Sequence, residues 1–546
     1  MFVQKTKSKR AGKTYVSYLV RESFRTPAGP RSRTVCNISK LPPNVRQMVS
    51  AALRGKRLID EDAIELREAL DCGGLAVLVE SWKQLCLDQL MANMGTPRER
   101  SLLQAMVFSR LLFPCAKLAL KERAAGSLLA AACGLASEES FDEDDLYAAM
   151  DSLTGHWCAL EKGLANEAFK EPVSLVLYDL TSVYFEGEGP IRLGKYGHSR
   201  DHRADRPQII LAVAADPRGV PLHLSVLRGN RADTTTLQGL LTILRRRFGI
   251  REAVFVFDGG MSSKLNLEAL EQNDLQFVTR LSNATLEALL SSLPQDQQLA
   301  LADQNKLVEI EHGEKRYVIA GGPWRCQRDQ ERRAARIAKA EAALGKLASV
   351  KRRKPDPQKI ASQAGRALQS RKAHKYFSYH IDPAGILRWE RKEDIIAAER
   401  AHDGWYLLQT NLLLADAQPA QVQGHYKNLL AVEEAFCELK SYLRVRPVFH
   451  YRPDRVINHV RICFLAYWIS ARLAAQWRAR AECGEVTRIL RQLQTIRLGQ
   501  IQLGNAALPT MARFTHVPPK LNALLQKLNL IHLFATPPNW AKAQAA

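Results

Sequence analysis

The chain has 546 residues, 46% hydrophobic and 25% charged, which excludes a disordered or fibrous protein and leaves room for several buried cores. Its 78 Lys and Arg against 56 Asp and Glu give a net charge of +22, which points to a polyanionic partner, nucleic acid before membrane. Ten scattered cysteines without a C-x-x-C pair exclude a zinc ribbon and a disulfide framework, and no apolar run reaches the roughly 18 residues of a membrane span. A cytoplasmic protein, neither exported nor membrane-bound, is the expectation.

Residues 1–42 read as a small basic β segment. KTYVSYLVRESFRT and RSRTVCNIS alternate as strands around a Pro-Ala-Gly-Pro turn. Such a hairpin either lies along DNA backbone or is an edge hairpin with solvated charges. Residues 43–170 turn helical, a candidate DNA-binding domain. Helices are expected from LPPNVRQMVSAALRG, over Leu75–Met94, Arg98–Leu112 and Leu118–Ala132, and after an N-cap at Ser140.

Around residue 171 the pattern changes. The β-branched and aromatic run SLVLYDLTSVYFE, within Val173–Glu186, reads as a buried strand with Asp179 in its middle. A basic loop, GKYGHSRDHRADRP, precedes the strands QIILAVAAD and VPLHLSVLRG, joined by the turn Asp216–Gly219. A helix over Asp233–Phe248 is expected to start on an Asp233 cap. The strand AVFVFD ends at Asp258, a Gly259-Gly260 turn leads to a helix capped by Ser262 or Ser263, and LQFVTRL is the next strand. That order is α/β, of a ribonuclease-H-like core, and sets Asp179 and Asp258 on neighbouring strands.

An insertion domain, residues 284–405, interrupts the core (171–283 and 406–480). It holds a charged helix over Asp329–Leu347, the linker VKRRKPDPQK, a second helix, and the strand-like YFSYHID and ILRWERKEDI. Its basic residues read as a solvated helix face or as a DNA clamp. The core resumes with the strand GWYLLQT, a helix over Gln421–Leu443 carrying Glu433, and a buried helix over Asp454–Arg480. Residues 481–546 read as a basic helical region with loops at Pro509 and Pro518-Pro519.

Asp179, Asp258 and Glu433 are far apart in the chain, and only folding brings them together. Three clustered carboxylates repel and titrate upward unless a cation joins them. Magnesium suits hard oxygen ligands, and two such ions support an in-line phosphoryl displacement. Singly, each has a bland reading: a hydrogen-bonded structural Asp, a strand-end Asp-Gly turn, and an exposed helical Glu. His198, Asp201, His202 and Asp205 in the basic loop fit no zinc spacing. That loop reads better as DNA-facing, with Lys195, Arg200 and Arg203 against phosphate.

The segment YKNLLAVEEAFCELKS resembles the Y-(2)-R-(3)-E-(6)-K signature of the insertion-sequence-4-like DDE transposases, with Tyr426, Glu433 and Lys440 in register. YDLTSVYFEG, YGHSRDHRADRPQIILAV, the Gly229-Asn230 to Asp233 segment, VFDGGMSS and RPVFHYRPDRVINHVRICFLAYWI resemble the same superfamily, most closely its insertion-sequence-1634 branch. The likeness runs in order from about residue 14 to about residue 480. It implies that Asp179, Asp258 and Glu433 bind two Mg2+ ions, with Mn2+ as a substitute, and that Tyr426 and Lys440 contact phosphates. Leu429 stands at the signature Arg and Cys437 where another Arg is expected. Lys427 or Arg444 would then supply the missing charge. Glu434 competes with Glu433, and the register favours Glu433. The implied activity is binding of an element's inverted-repeat ends, magnesium-dependent cleavage and strand transfer to target DNA, by a homodimer assembled on double-stranded DNA. The rival readings are a ribonuclease-H-like nuclease without strand transfer, and a decayed DNA-binding relative.

Overall fold

The computed structural model describes residues 1–10, 13–27, 29–56, 64–292, 307–313, 315–349, 356–383, 385–481, 484–503 and 510–542. The basic part of the linker after Ser349 and the Pro509 loop lie outside these residues. The chain forms two compact units. One comprises Met1–Val77, Ala124–Glu138 and Arg491–Ala546, the other Leu78–Arg123 and Glu139–Leu490.

In the first unit, β1 (Phe2–Arg10), β2 (Lys13–Thr26) and β3 (Gly29–Asn37) form an antiparallel sheet in that order. The expected hairpin is β2 with β3, and β1 adds a strand that the sequence reading left unassigned. A second sheet corrects two expectations of helix. Ile64–Asp71 is a strand, β4, and it pairs antiparallel with Arg497–Leu503, which pairs in turn with Met511–Phe514. The partners of β4 lie at the other end of the chain, so no local pattern advertises them. Pro519 is the first residue of the helix Pro519–Lys527 rather than part of a loop, its fixed φ suiting that position.

The second unit is built on an eight-stranded mixed sheet. Its strands are β5 (Leu175–Tyr184), β6 (Gln208–Ala215), β7 (Pro221–Arg228), β8 (Val254–Phe257), β9 (Gln276–Arg280), β10 (Val308–His312) and β11 (Lys315–Ala320). After a separate two-stranded sheet of β12 (Phe377–Ile381) and β13 (Leu387–Arg391) comes β14 (Tyr406–Thr410). The order across the large sheet is β10-β11-β14-β9-β8-β5-β6-β7. β5, β8 and β9 run parallel, and the other neighbours are antiparallel.

Alternation along β5 sends Val176, Tyr178 and Leu180 into one core, with Phe255, Phe257 and the helices Leu237–Phe248 and Lys264–Glu271. Asp179 therefore points to the opposite face. There the helix Leu430–Cys437 packs against β5. The buried helix Pro453–Ala481 packs against β7 and the helices Pro97–Leu112, Glu143–Asp151 and Leu153–Ala168.

Several boundaries differ from the sequence expectations. Asp142, not Ser140, caps Glu143–Asp151, because its carboxylate accepts from the Asp145 amide while Asp145 returns the bond. Asp233 does not cap a helix. It opens a short 3-10 turn, and the helix starts at Leu237. Leu118–Ala132 is two short helices, Leu120–Ala125 and Leu129–Ala132. Within the stretch read as an insertion, β10 and β11 extend the main sheet. The helices Pro323–Ser349 and Pro357–Ser370 then pack through Ile337, Ala340, Leu344, Ile360, Ala364 and Leu368.

The expected continuous helix Gln421–Leu443 is three pieces: Pro419–Lys427, Leu430–Cys437 and a π turn at Glu438–Tyr442. Between the first two, the Leu429, Ala431 and Val432 amides bond carbonyls three residues back, which tightens the path. Leu429 is buried in this turn, at 5% exposure.

Candidate active site

The parallel register of β5 and β8 pairs Tyr178 with Phe257, so the next residues, Asp179 and Asp258, are neighbours at the strand end. Asp179 Oδ1 accepts the Leu180 amide at 2.7 Å. Asp258 is exposed and accepts the Tyr426 hydroxyl at 3.3 Å. Glu433 lies in the first turn of its helix and is exposed. The carboxylates press on one another. Asp179 is pushed up to about 7, first by burial and then by the charges of Asp258 and Glu433, against the Leu180 amide and Arg200. Glu433 is raised by burial and by Asp258, against Arg328. Among the described residues, no Lys or Arg forms an ion pair with any of the three. The nearby cations are engaged elsewhere: Arg200 with Asp233, Lys440 and Arg446 with Asp201.

Among the described residues, no three His, Cys, Asp or Glu side chains are gathered closely enough to hold one metal ion. The three carboxylates are electrostatic neighbours, not a closed cage. Their chemistry still fits a hard divalent cation, since the donors are all carboxylate oxygens and lack a paired cation. Glu434, the competing acid, lines a different depression with Lys427, Arg218 and Arg478, so Glu433 alone joins Asp179 and Asp258.

The basic residues are distributed differently from the sequence expectation. Lys440 donates to Asp201 at 2.7 Å, and both side chains are buried. Arg446 pairs with the same carboxylate. The group His198, Asp201, His202 and Asp205 is not one site: Asp205 pairs with Arg203 and Arg206, and both histidines are exposed. Arg203 also lies over the Tyr184 ring. Lys195 bridges to Gln208 through its backbone. The loop carrying these residues is fastened to the sheet. The Arg200 amide donates to Ser182 Oγ at 2.8 Å, and Gln208 Nε2 donates to the carbonyls of Gly229 and His198. A Cβ on Gly229 would sit 1.9 Å from the Gln208 carbonyl oxygen, so this approach requires glycine. Lys427 donates to Gln423 and Arg444 lines a separate cleft, so neither reaches the carboxylates.

Three cations escaped the sequence reading. Arg280 ends β9, and Arg325 and Arg328 open the helix Pro323–Ser349. Arg280 and Arg325 act electrostatically on Tyr426, and Arg328 on Glu433. Arg280 was visible as a strand-end cation, whereas nothing in local spacing brings Arg325 or Arg328 to the site.

The central mixed sheet, with one acid in the middle of β5, a second just past the end of its parallel neighbour β8 and a third on a helix packed against β5, fits a ribonuclease-H-like enzyme. The family model of the transposase DDE domain matches residues 172–469, more than half of the chain. The chain belongs to this family, whose members are DNA phosphoryl-transfer enzymes that generally use divalent metal ions. No curated protein matches the chain. No helix among the described residues is long and apolar enough to cross a membrane.

Proposed function

We propose that this protein is the transposase of an insertion sequence, in the insertion-sequence-1634 branch of the insertion-sequence-4-like superfamily. It binds the inverted-repeat ends of its element as a homodimer on DNA, cuts at them and joins the 3′ ends to target DNA. The observation that carries the reading is the set Asp179, Asp258 and Glu433: three neighbouring acids that no Lys or Arg among the described residues pairs with, in a chain with a net charge of +22.

These three residues would hold two magnesium ions, which would supply activation of the attacking oxygen and stabilisation of the leaving oxygen at one phosphorus. The chain's own contribution is positioning. The parallel pairing of β5 and β8 sets Asp179 beside Asp258, and Tyr426 fixes one Asp258 oxygen. Arg280, Arg325 and Arg328 set positive charge around the carboxylates for the scissile strand. Lys440 acts with Arg446 by holding Asp201, and so ties the basic loop to the segment that bears Glu433.

The test is cleavage of a labelled duplex carrying the element's repeats, with magnesium, by the native protein and by Asp179→Asn, Asp258→Asn and Glu433→Gln. Cutting at the element boundary, followed by joining to a target duplex, is expected. It should fall at least about 10³-fold in each variant while DNA binding persists. Cleavage without joining would assign a nuclease. Binding without cleavage in the native protein would assign a decayed relative.

A further inference from the structure

The second unit compensates buried charge with care. Glu161, buried, receives bonds from His223 and the Leu224 amide and pairs with Arg247. Arg333 pairs with Asp403. Apart from the three carboxylates, one cleft departs from this habit. Beyond the end of the helix Pro97–Leu112, residues 114–118 and 444–450 enclose a cleft of about 370 Å³, within the range of small-ligand sites. Its wall carries Arg110, Lys117, Arg444, Arg446 and His450.

Arg110 is 7% exposed and, among the described residues, donates to neutral acceptors, the carbonyls of Leu443 at 3.3 Å and Arg444 at 3.4 Å. Lys117 is 9% exposed; its ammonium lies 3.4 Å from His450 Nε2 and over the Tyr147 ring, and Glu143 acts on it electrostatically without forming an ion pair. Among the described residues, no Asp or Glu forms an ion pair with Arg110, Lys117 or Arg444. Glu143 is the one carboxylate in the lining, and it accepts the Tyr147 hydroxyl at 2.6 Å. Arg446 already shares Asp201 with Lys440. Unpaired buried cations are costly, and an anion entering the cleft would offset that cost.

We propose that this cleft is a phosphate-binding site, separate from the three carboxylates. A guanidinium and an ammonium side by side match the oxygens of a phosphate group. At the mouth, Phe449 is exposed and gives a flat apolar face on which a nucleotide base can stack. The same loop is tied to the catalytic strand, since the Val448 amide donates to the Tyr184 carbonyl and the Glu186 amide to the Val448 carbonyl. A phosphodiester held in the cleft would therefore be registered against β5.

The test compares the full-length native protein with Lys117→Met, which keeps the length of the stem and removes the charge, and with Arg444→Gln, at an exposed position. Inorganic phosphate and pyrophosphate should raise the melting temperature of the native protein and have little effect on either variant. In DNA binding, the slope of log affinity against log salt should fall by about 1 in each variant, the loss of one phosphate contact. Both results together assign the ligand as a DNA phosphodiester. Phosphate stabilisation lost in the variants with an unchanged DNA slope upholds the site with a free phosphate as its ligand. Variants that fold by circular dichroism and behave like the native protein in both assays overturn the proposal. The DNA arm rests on the transposase reading and the phosphate arm does not. A native protein that binds no DNA but is stabilised by phosphate would therefore fail that reading alone.

Discussion

Asp201 is met by two cations, Lys440 and Arg446, and its side chain is 3% exposed. Asp179, in the same unit, is met by none among the described residues, and two further acids press on it. The chain has abundant positive charge, so the difference is not a shortage of partners. Arg200 shows this well. It follows Asp179 closely enough to act on it electrostatically, yet its guanidinium is committed to Asp233 at 2.5 Å. A buried acid that the fold neutralises is part of the architecture. One that the fold surrounds with other acids is held ready for a cation from outside.

Breaking the neutralised acid should have the largest effect on stability. Asp201→Asn leaves Lys440 and Arg446 facing each other in a buried place, at a cost of about 3–5 kcal/mol in denaturant unfolding. Asp179→Asn, measured in chelator, should leave stability unchanged or raise it, because it removes an acid the fold does not compensate. Equal destabilisation by the two substitutions would break the contrast. Leu429→Arg comes next. The resemblance expects Arg at this position, but the structure buries it in the tight turn between two helices. The substitution should cost about 3 kcal/mol in unfolding rather than restore a phosphate contact.

A smaller effect follows from the Asp179 carboxyl, raised from 3.8 to about 7. A folded value above the unfolded one means that the folded state binds the proton more tightly. The stability this contributes is fully present below the unfolded value and is lost as pH rises through about 7. In chelator, the native melting temperature should fall between about pH 4 and pH 7 more steeply than that of Asp179→Asn. Parallel pH profiles for the two proteins would remove the uncompensated acid from the comparison.

The catalytic half was legible because its signals are local. The β-branched run around Asp179, the strand ending at Asp258 and the Gly-Gly turn with its Ser263 cap each declare an element within a few residues. The likeness of the Glu433 segment to a known signature then selected the third acid. What escaped depends on distant partners. β4 falls inside a stretch that reads as helical until Arg497–Leu503 is beside it. Asp233 reads as a cap until Arg200 takes its carboxylate. Lys440 reads as a free cation on a helical stripe until Asp201 is brought to it from another loop. The stripe itself is interrupted, since spacing by seven does not reveal a tight turn at Leu429 or a π turn at Lys440.

Tyr426 offers the finest distinction. In the resemblance its hydroxyl contacts DNA phosphate; in the structure it donates to Asp258 at 3.3 Å, a long bond for a hydroxyl donor. Burial and the Asp258 charge both raise the phenol's pKa, so it remains a neutral donor throughout any practical assay range. Tyr426→Phe keeps the ring against Tyr406 and removes only the donor. If the hydroxyl serves to orient Asp258, the loss should be about 0.5–1.5 kcal/mol, roughly 2- to 12-fold in single-turnover cleavage, with DNA affinity unchanged. If it serves the phosphate, affinity for uncleaved duplex should fall while the rate at saturating DNA holds. The geometry predicts the first pattern, because the acid is already the hydroxyl's partner.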